Sequence, residues 1–197
     1  KRIPLLARGG GTSQCGQTVN NAIVIDNSKY LNKVLDFDKE KMTCIVEPGI
    51  VLDELNRFLK PYGLWFPVDV STSSRATIGG MAGNNSCGGR SIRYGMMRDN
   101  VTDIEAILYD GSIHNFGKIN SNHINSNKDK AYEIIKKLIE LAETNKEEII
   151  SKFPKVLRRV GGYNIDALLP DAMANRPNGK VGDGINLSHL LVGSEGT

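Results

Sequence analysis

In the run Arg8-Gly9-Gly10-Gly11-Thr12-Ser13, three residues without a Cβ follow directly on the apolar stretch Ile3 to Ala7. Successive backbone N–H groups in such a turn can point at one spot and cradle a phosphate oxygen, and Thr12 and Ser13 add hydroxyl donors. The same run would also serve as a plain flexible turn. Two nucleotide motifs are excluded by spacing. No Lys-Ser/Thr follows at the Walker position, and the glycines lack the third member of the dinucleotide fingerprint and open no helix.

A second donor-rich stretch, from Asp69 to Gly95, holds Ser71, Thr72, Ser73, Ser74 and Thr77, then Gly79-Gly80, Gly83, Asn84-Asn85, Gly88-Gly89 and Tyr94-Gly95. It reads as a loop too long for a mere connector, able to bring main chain and hydroxyls against a large polar ligand, with Tyr94 offering packing or a hydrogen bond. A third short motif is Gly193-Ser194-Glu195-Gly196. Together the three point to one extended ligand containing a pyrophosphate.

The remaining reactive side chains carry little. His114, His123 and His189 have no partner at ligand or dyad spacing and read as ordinary histidines. Cys15, Cys44 and Cys87 are odd in number and far apart, so they signal neither disulfides nor zinc and read as thiols of a reducing compartment. Nothing beside Cys87 would activate it. No catalytic residue and no metal ligand is assigned. Arg158 and Arg159 fit either a bound anion or a solvated helix end.

The elements that must position these residues follow from pattern. Strands are expected at Ile3 to Ala7, Ala22 to Ile25 and Thr43 to Glu47, and a helix from Val51 to Tyr62 with Gly63 as its left-handed cap. The stretch from Trp65 to Gly95 reads as loop. A hairpin turns at Asp110-Gly111. A helix spans about Ala131 to Lys152 with the stripe Ile134, Leu138, Leu141 and Ala142, and Leu190-Leu191-Val192 reads as a strand. The 40% hydrophobic and 24% charged residues over 197 positions are ordinary globular values. A net charge of +3 with scattered lysines and arginines gives no case for nucleic acid, and no apolar run nears the roughly 18 residues of a membrane span. Both ends look like boundaries within a longer chain.

The ordered motifs Arg8 to Ser13, Ala76-Thr77-Ile78-Gly79-Gly80, Asn84-Asn85 with Gly88, Arg93-Tyr94-Gly95, Asp110-Gly111 and Val192 to Thr197 resemble the FAD domain of the vanillyl-alcohol oxidase and p-cresol methylhydroxylase superfamily. Within it, the chain is most similar to the D-2-hydroxyacid dehydrogenases that oxidise glycolate, D-lactate or D-2-hydroxyglutarate. Phe153 to Asn164 is similar to the large members with a C-terminal iron–sulfur segment. The resemblance implies an α+β, two-lobed FAD-binding domain, lobe one at about 1–40 and lobe two at about 41–197. It implies cofactor contacts from Arg8, Gly9, Gly10, Gly11, Thr12, Ser13, Asp69, Ser71, Thr77, Ile78, Gly79, Gly80, Asn84, Asn85, Gly88, Tyr94, Gly95, Glu195 and Gly196. The Thr77–Gly80 stretch is expected to share the pyrophosphate with the glycine turn. Trp65 and Phe66 are within reach of a flavin but read as core.

Thr12 stands where some relatives carry a flavin-linking histidine, so FAD is expected to bind noncovalently. In the family the base and the carboxylate-binding arginines lie mostly after the Gly-Ser-Glu-Gly-Thr motif, which puts them beyond Thr197. The implied enzyme is a cytoplasmic oxidoreductase, with the inner face of the membrane as its alternative place, passing electrons from a small 2-hydroxy acid to an unassigned acceptor. The same glycine turns also suit a peptidoglycan-precursor reductase or a non-redox nucleotide module. Valine at Gly10 or Gly79 is expected to abolish cofactor binding and leave the fold.

Overall fold

The computed structural model describes residues 3–16, 18–119, 130–169 and 184–196. The polar segment 120–129 with His123, and the stretch with Arg176 and Lys180, lie outside them. Strand β1 (Leu5–Arg8) runs parallel to β2 (Ile23–Asp26) with Arg8 opposite Asp26. The Asn27 N–H then donates to the Arg8 carbonyl at 2.9 Å, which sets Asn27 beside the start of the glycine turn.

β3 (Val34–Asp38) and β4 (Thr43–Val46) form an antiparallel pair. The sequence reading has no β3. A register shift between Val34 and Asp36 places the core-packed residues Val34 and Phe37 three apart, which hides the two-residue period of a strand. Helix α1 (Leu52–Leu59) follows as expected, burying Leu52, Leu55 and Leu59. Asp53 and Glu54 sit in its first turn and Arg57 in its last, the order its dipole favours. The chain leaves through a 3-10 turn at Lys60–Tyr62, and Gly63 takes the left-handed cap at φ 72°.

The stretch read as loop contains two helices, α2 (Ile78–Asn84) and the short α3 (Ser91–Tyr94). Glycine costs a helix about 1 kcal/mol relative to alanine, so propensity argues against α2. Tertiary burial wins: Ile78 and Met81, three apart, enter the core, and the Thr77 hydroxyl caps the helix by accepting from the Gly80 N–H at 3.3 Å. A 3-10 turn (Met97–Asn100) leads to the expected hairpin of β5 (Ile104–Ile107) and β6 (Ile113–Phe116). Its three-residue loop is closed by Leu108 and Ser112 at 2.8 Å, with Gly111 left-handed at φ 83°.

β7 (Lys118–Ile119) pairs with β8 (Ile185–Asn186). The long helix is two, α4 (Lys130–Thr144) and α5 (Lys146–Lys152), divided at Asn145, whose side-chain amide donates back to the Leu141 carbonyl at 2.7 Å. The expected stripe is rotated: Ile134 and Leu141 are exposed, while Ile135 and Ala142 are buried with Leu138 and Ile139 against them. Leu190 and Leu191 belong to helix α6 (Ser188–Leu191), not a strand. A three-residue apolar run carries no period, and burial of Leu187 and Leu190 three apart decides for the helix.

Two apolar clusters hold these elements. One gathers α1, α2, Val68, Met97 and Val192; the other gathers Phe116, α4, α5, Leu168, Leu169 and α6. Among the described residues no helix is long and apolar enough to cross a membrane. Leu168, in the 3-10 turn Ile165–Leu168, is a fully buried member of the second cluster. Leu168→Ala is expected to lower the unfolding free energy by about 2–5 kcal/mol, read as a shifted urea midpoint.

Candidate cofactor site

The glycine turn, the 69–72 loop, α2, the 86–89 segment and the 194–196 motif enclose a cavity of about 1230 Å³. This exceeds the roughly 1,000 Å³ upper range of ordinary small-molecule pockets and suits a large ligand. Of the residues named from sequence, Arg8, Gly9, Gly10, Gly11, Thr12, Ser13, Asp69, Ser71, Thr77, Gly79, Gly80, Asn84, Gly88, Glu195 and Gly196 line it.

Four do not. Ile78 points into the first apolar cluster. Asn85 is 1% exposed and caps α2 in a left-handed conformation at φ 53°. Tyr94 packs edge-on against Trp65 with ring centroids 5.2 Å apart, and Gly95, at φ 80°, closes against the Asp99 side chain. Trp65 itself is half exposed beneath the Arg90 guanidinium, whereas Phe66 packs on the core and donates its N–H to Asn56.

Backbone donors divide sharply between the two glycine segments. The amides of Ile78 and Gly79 donate to the carbonyls of Ile50 and Pro48 at 2.9 and 2.8 Å, that of Gly80 to the Thr77 hydroxyl, and that of Met81 to the Thr77 carbonyl. In contrast, the amides of Gly9, Gly10, Gly11 and Thr12 meet no backbone carbonyl among the described residues. The amides of the glycine turn are thus able to meet an anion, whereas those of Ile78 to Met81 are engaged within the protein.

Arg8 is the one cation among the described lining residues, with Asp69 and Glu195 as acids. Its guanidinium folds over Gly11 and lies 3.9 Å from Asp26. The hydroxyl and amide of Ser28 donate to the Asp26 carboxylate and hold it below the usual range, so Arg8 shares that acid with other donors. On the far wall the Asn84 side-chain amide donates to Glu195 at 2.7 Å.

Gly83 and Gly89, named within the donor-rich run, line the cavity as well, and so do Ser86 and Cys87 from the same run. Asn27 and Val160 arrive only through topology, the first by the parallel register of β1 and β2. Arg159 is neither free nor at a helix end: it pairs with Asp166 at 2.7 Å and lies over the Phe153 ring. Among the described residues no cluster could hold a metal ion.

Two glycines take their role from what stands where a Cβ would be. At Gly79 it would come 2.6 Å from the Pro48 Cβ and 2.9 Å from its oxygen, and at Gly10 it would run into the Arg75 carbonyl. Valine at either place would therefore push apart main-chain segments, which corrects the expectation that the fold survives. Gly83 differs: its Cβ would meet only the Glu195 Cβ at 3.9 Å, beside the cavity.

Residues 1–117 match the family model described as the FAD binding domain, and the chain belongs to that family. It is 34% identical over 201 residues to the D-2-hydroxyglutarate dehydrogenase of Haemophilus influenzae, across 99% of this chain and 19% of that protein. It is 37% identical over 114 residues to the glycolate oxidase subunit GlcD of Bacillus subtilis, across 57% of this chain and 24% of that protein. The chain thus spans about a fifth of the length of the D-2-hydroxyglutarate dehydrogenases it matches.

Among solved structures, alkyldihydroxyacetonephosphate synthase superposes with a TM-score of 0.54 at 28% identity, over 62% of this chain and 24% of that one. The 6-hydroxy-D-nicotine oxidase of Arthrobacter nicotinovorans, at 18% identity and TM-score 0.51 over 57% of this chain and 24% of that one, shares the fold. The expected fold, mixed α and β of the p-cresol methylhydroxylase type, is thereby established.

The cavity fits FAD on its own terms: it is large, and among the described residues the amides of the glycine turn have no carbonyl partner and lie beside Arg8. Gly83→Ala is expected to keep the fold and raise helix stability by about 0.5–1 kcal/mol while weakening FAD uptake. Gly79→Val should instead fail to fold or melt earlier. Thermal denaturation with and without FAD separates the two outcomes.

Proposed function

We propose that this chain is the FAD-holding part of a flavin-dependent dehydrogenase that oxidises a small D-2-hydroxy acid of the lactate, glycolate or 2-hydroxyglutarate type. The observation that carries the cofactor site is the glycine turn, whose amides open onto the cavity beside Arg8. The substrate class is supported by the named activities of the D-2-hydroxyglutarate dehydrogenase and glycolate oxidase relatives. In this reading the Gly9–Ser13 turn and Arg8 hold the pyrophosphate. Asp69, Ser71, Thr77, Gly79, Gly80, Asn84, Gly88, Glu195 and Gly196 line the remainder of the cofactor.

FAD bound there supplies the acceptor for a hydride leaving Cα of the hydroxy acid. What the chain contributes is placement: neutralisation of phosphate charge by Arg8 and the amides, and hydroxyl and carboxylate partners for the polar parts of the ligand. The reading extends to two lobes, about 1–40 and 41–197, with FAD between them, and to an iron–sulfur cluster and the catalytic base carried outside residues 1–197. It places the enzyme in the cytoplasm at the inner face of the membrane, in keeping with the free thiols Cys15, Cys44 and Cys87.

The full-length enzyme, kept free of oxygen, is expected to lose its visible flavin absorbance on addition of D-2-hydroxyglutarate, D-lactate or glycolate, whereas residues 1–197 loaded with FAD keep theirs. A full-length flavoprotein indifferent to all three acids overturns the substrate class. With Thr12 in place of a linking histidine, FAD is held noncovalently, so acid precipitation should leave the flavin in the supernatant. Flavin carried down with the protein refutes that attachment.

A further inference from the structure

Asn164 lies outside the matched residues 1–117 and does not line the cavity, yet it is 2% exposed and both ends of its amide are engaged. Its Oδ1 accepts from Arg98 Nη1 and Arg159 Nη2, both at 2.9 Å. Its Nδ2 donates to the carbonyls of His189 at 3.1 Å and Val192 at 2.5 Å. Guanidinium groups only donate and carbonyls only accept, so a side-chain amide in this orientation satisfies all four contacts.

Arg98, and Asn85 behind it, are buried in their turn. The Arg98 N–H donates to Asn85 Oδ1 at 3.0 Å, and Asn85 Nδ2 donates to the Arg159 carbonyl at 3.1 Å. Four segments are thereby tied at one point: the cap of α2, the 3-10 turn at Arg98, the stretch 159–166, and the exit of α6. One residue past Val192 the chain docks on α2, where the N–H groups of Gly193 and Glu195 donate to the carbonyls of Ala82 and Gly83, each at 2.9 Å. Glu195 and Ser194 enter the cavity wall from there.

We infer that Asn164 is a positioning residue for the flavin site, fixing the segment 189–195 so that Glu195 meets Asn84 in the cavity wall. The inference rests on the reading of this cavity as the flavin site. Asn164→Asp tests it, because the carboxylate keeps both arginine contacts but sets an oxygen against the carbonyls of His189 and Val192.

In FAD titrations of the 1–197 chain, N164D is expected to bind about tenfold more weakly than the parent while its circular dichroism stays unchanged. If Asn164 acts through Glu195, E195Q adds nothing to N164D, and the double variant binds within about twofold of N164D alone. Amide hydrogen exchange at Gly193 and Glu195 should accelerate in N164D. Parent-like FAD binding by N164D, or losses that multiply independently in the double variant, overturns the inference. Should N164D not fold, Arg159→Lys replaces it in the same cycle, and independence from E195Q there is equally fatal. A parent that takes up no FAD refutes the flavin reading instead; exchange at Gly193 and Glu195 then decides alone, faster exchange in N164D upholding the clamp and unchanged exchange removing it.

Discussion

The site depends on main-chain segments packed too closely to admit a side chain. Gly10 faces the Arg75 carbonyl, and Gly79, in the first turn of α2, faces Pro48. This contact lets α2 satisfy its first amides inward, on Ile50, Pro48 and Thr77, where helix termini otherwise look to solvent or ligand. The amides of Gly9 to Thr12, by contrast, meet no backbone carbonyl among the described residues. Unbonded amides buried away from water cost about 1–3 kcal/mol each, but these border an open cavity, where water or an anion can meet them. Helix α2 is thus closed on the protein, while the glycine turn faces the cavity.

What the sequence revealed, and what it concealed, follows the range of the interactions involved. The turn at Gly9–Gly11, helix α1 with its Gly63 cap and the hairpin at Asp110-Gly111 were legible because each is decided within a few residues. Helix α2 was hidden because its glycines vote against a helix locally, while the burial of Ile78 and Met81 that overrules them comes from segments distant in sequence. Helix α6 was hidden because a three-residue apolar run fits either period.

The site list shows the same division. Residues on the turn line the cavity, while Ile78 and Asn85, interleaved with cavity residues on α2, face inward. A motif marks a segment as important without saying which of its side chains faces the ligand, and on a helix adjacent residues point about 100° apart. Asn27 carries no motif and is brought to the cavity by β1–β2 pairing, while Val160, within the Phe153–Asn164 stretch, lines it although no cofactor contact was expected from that stretch.

The second half of the site is held by polar groups as well as by the burial of Leu187, Leu190 and Val192. Arg98 is 7% exposed, and burial pushes its guanidinium down to about 10, which still leaves it charged at neutral pH. A buried charge of this kind is poor value as a stabiliser, since an apolar residue of similar volume often serves as well. Its advantage is direction. An apolar contact tolerates sliding, whereas Asn164, with two donors below and two carbonyls above, fixes the segment 189–195 in one register relative to α2. A wall residue that must meet a ligand atom, as Glu195 meets Asn84, needs that register more than it needs extra stability, and this accounts for a charged network lying directly behind the cavity wall.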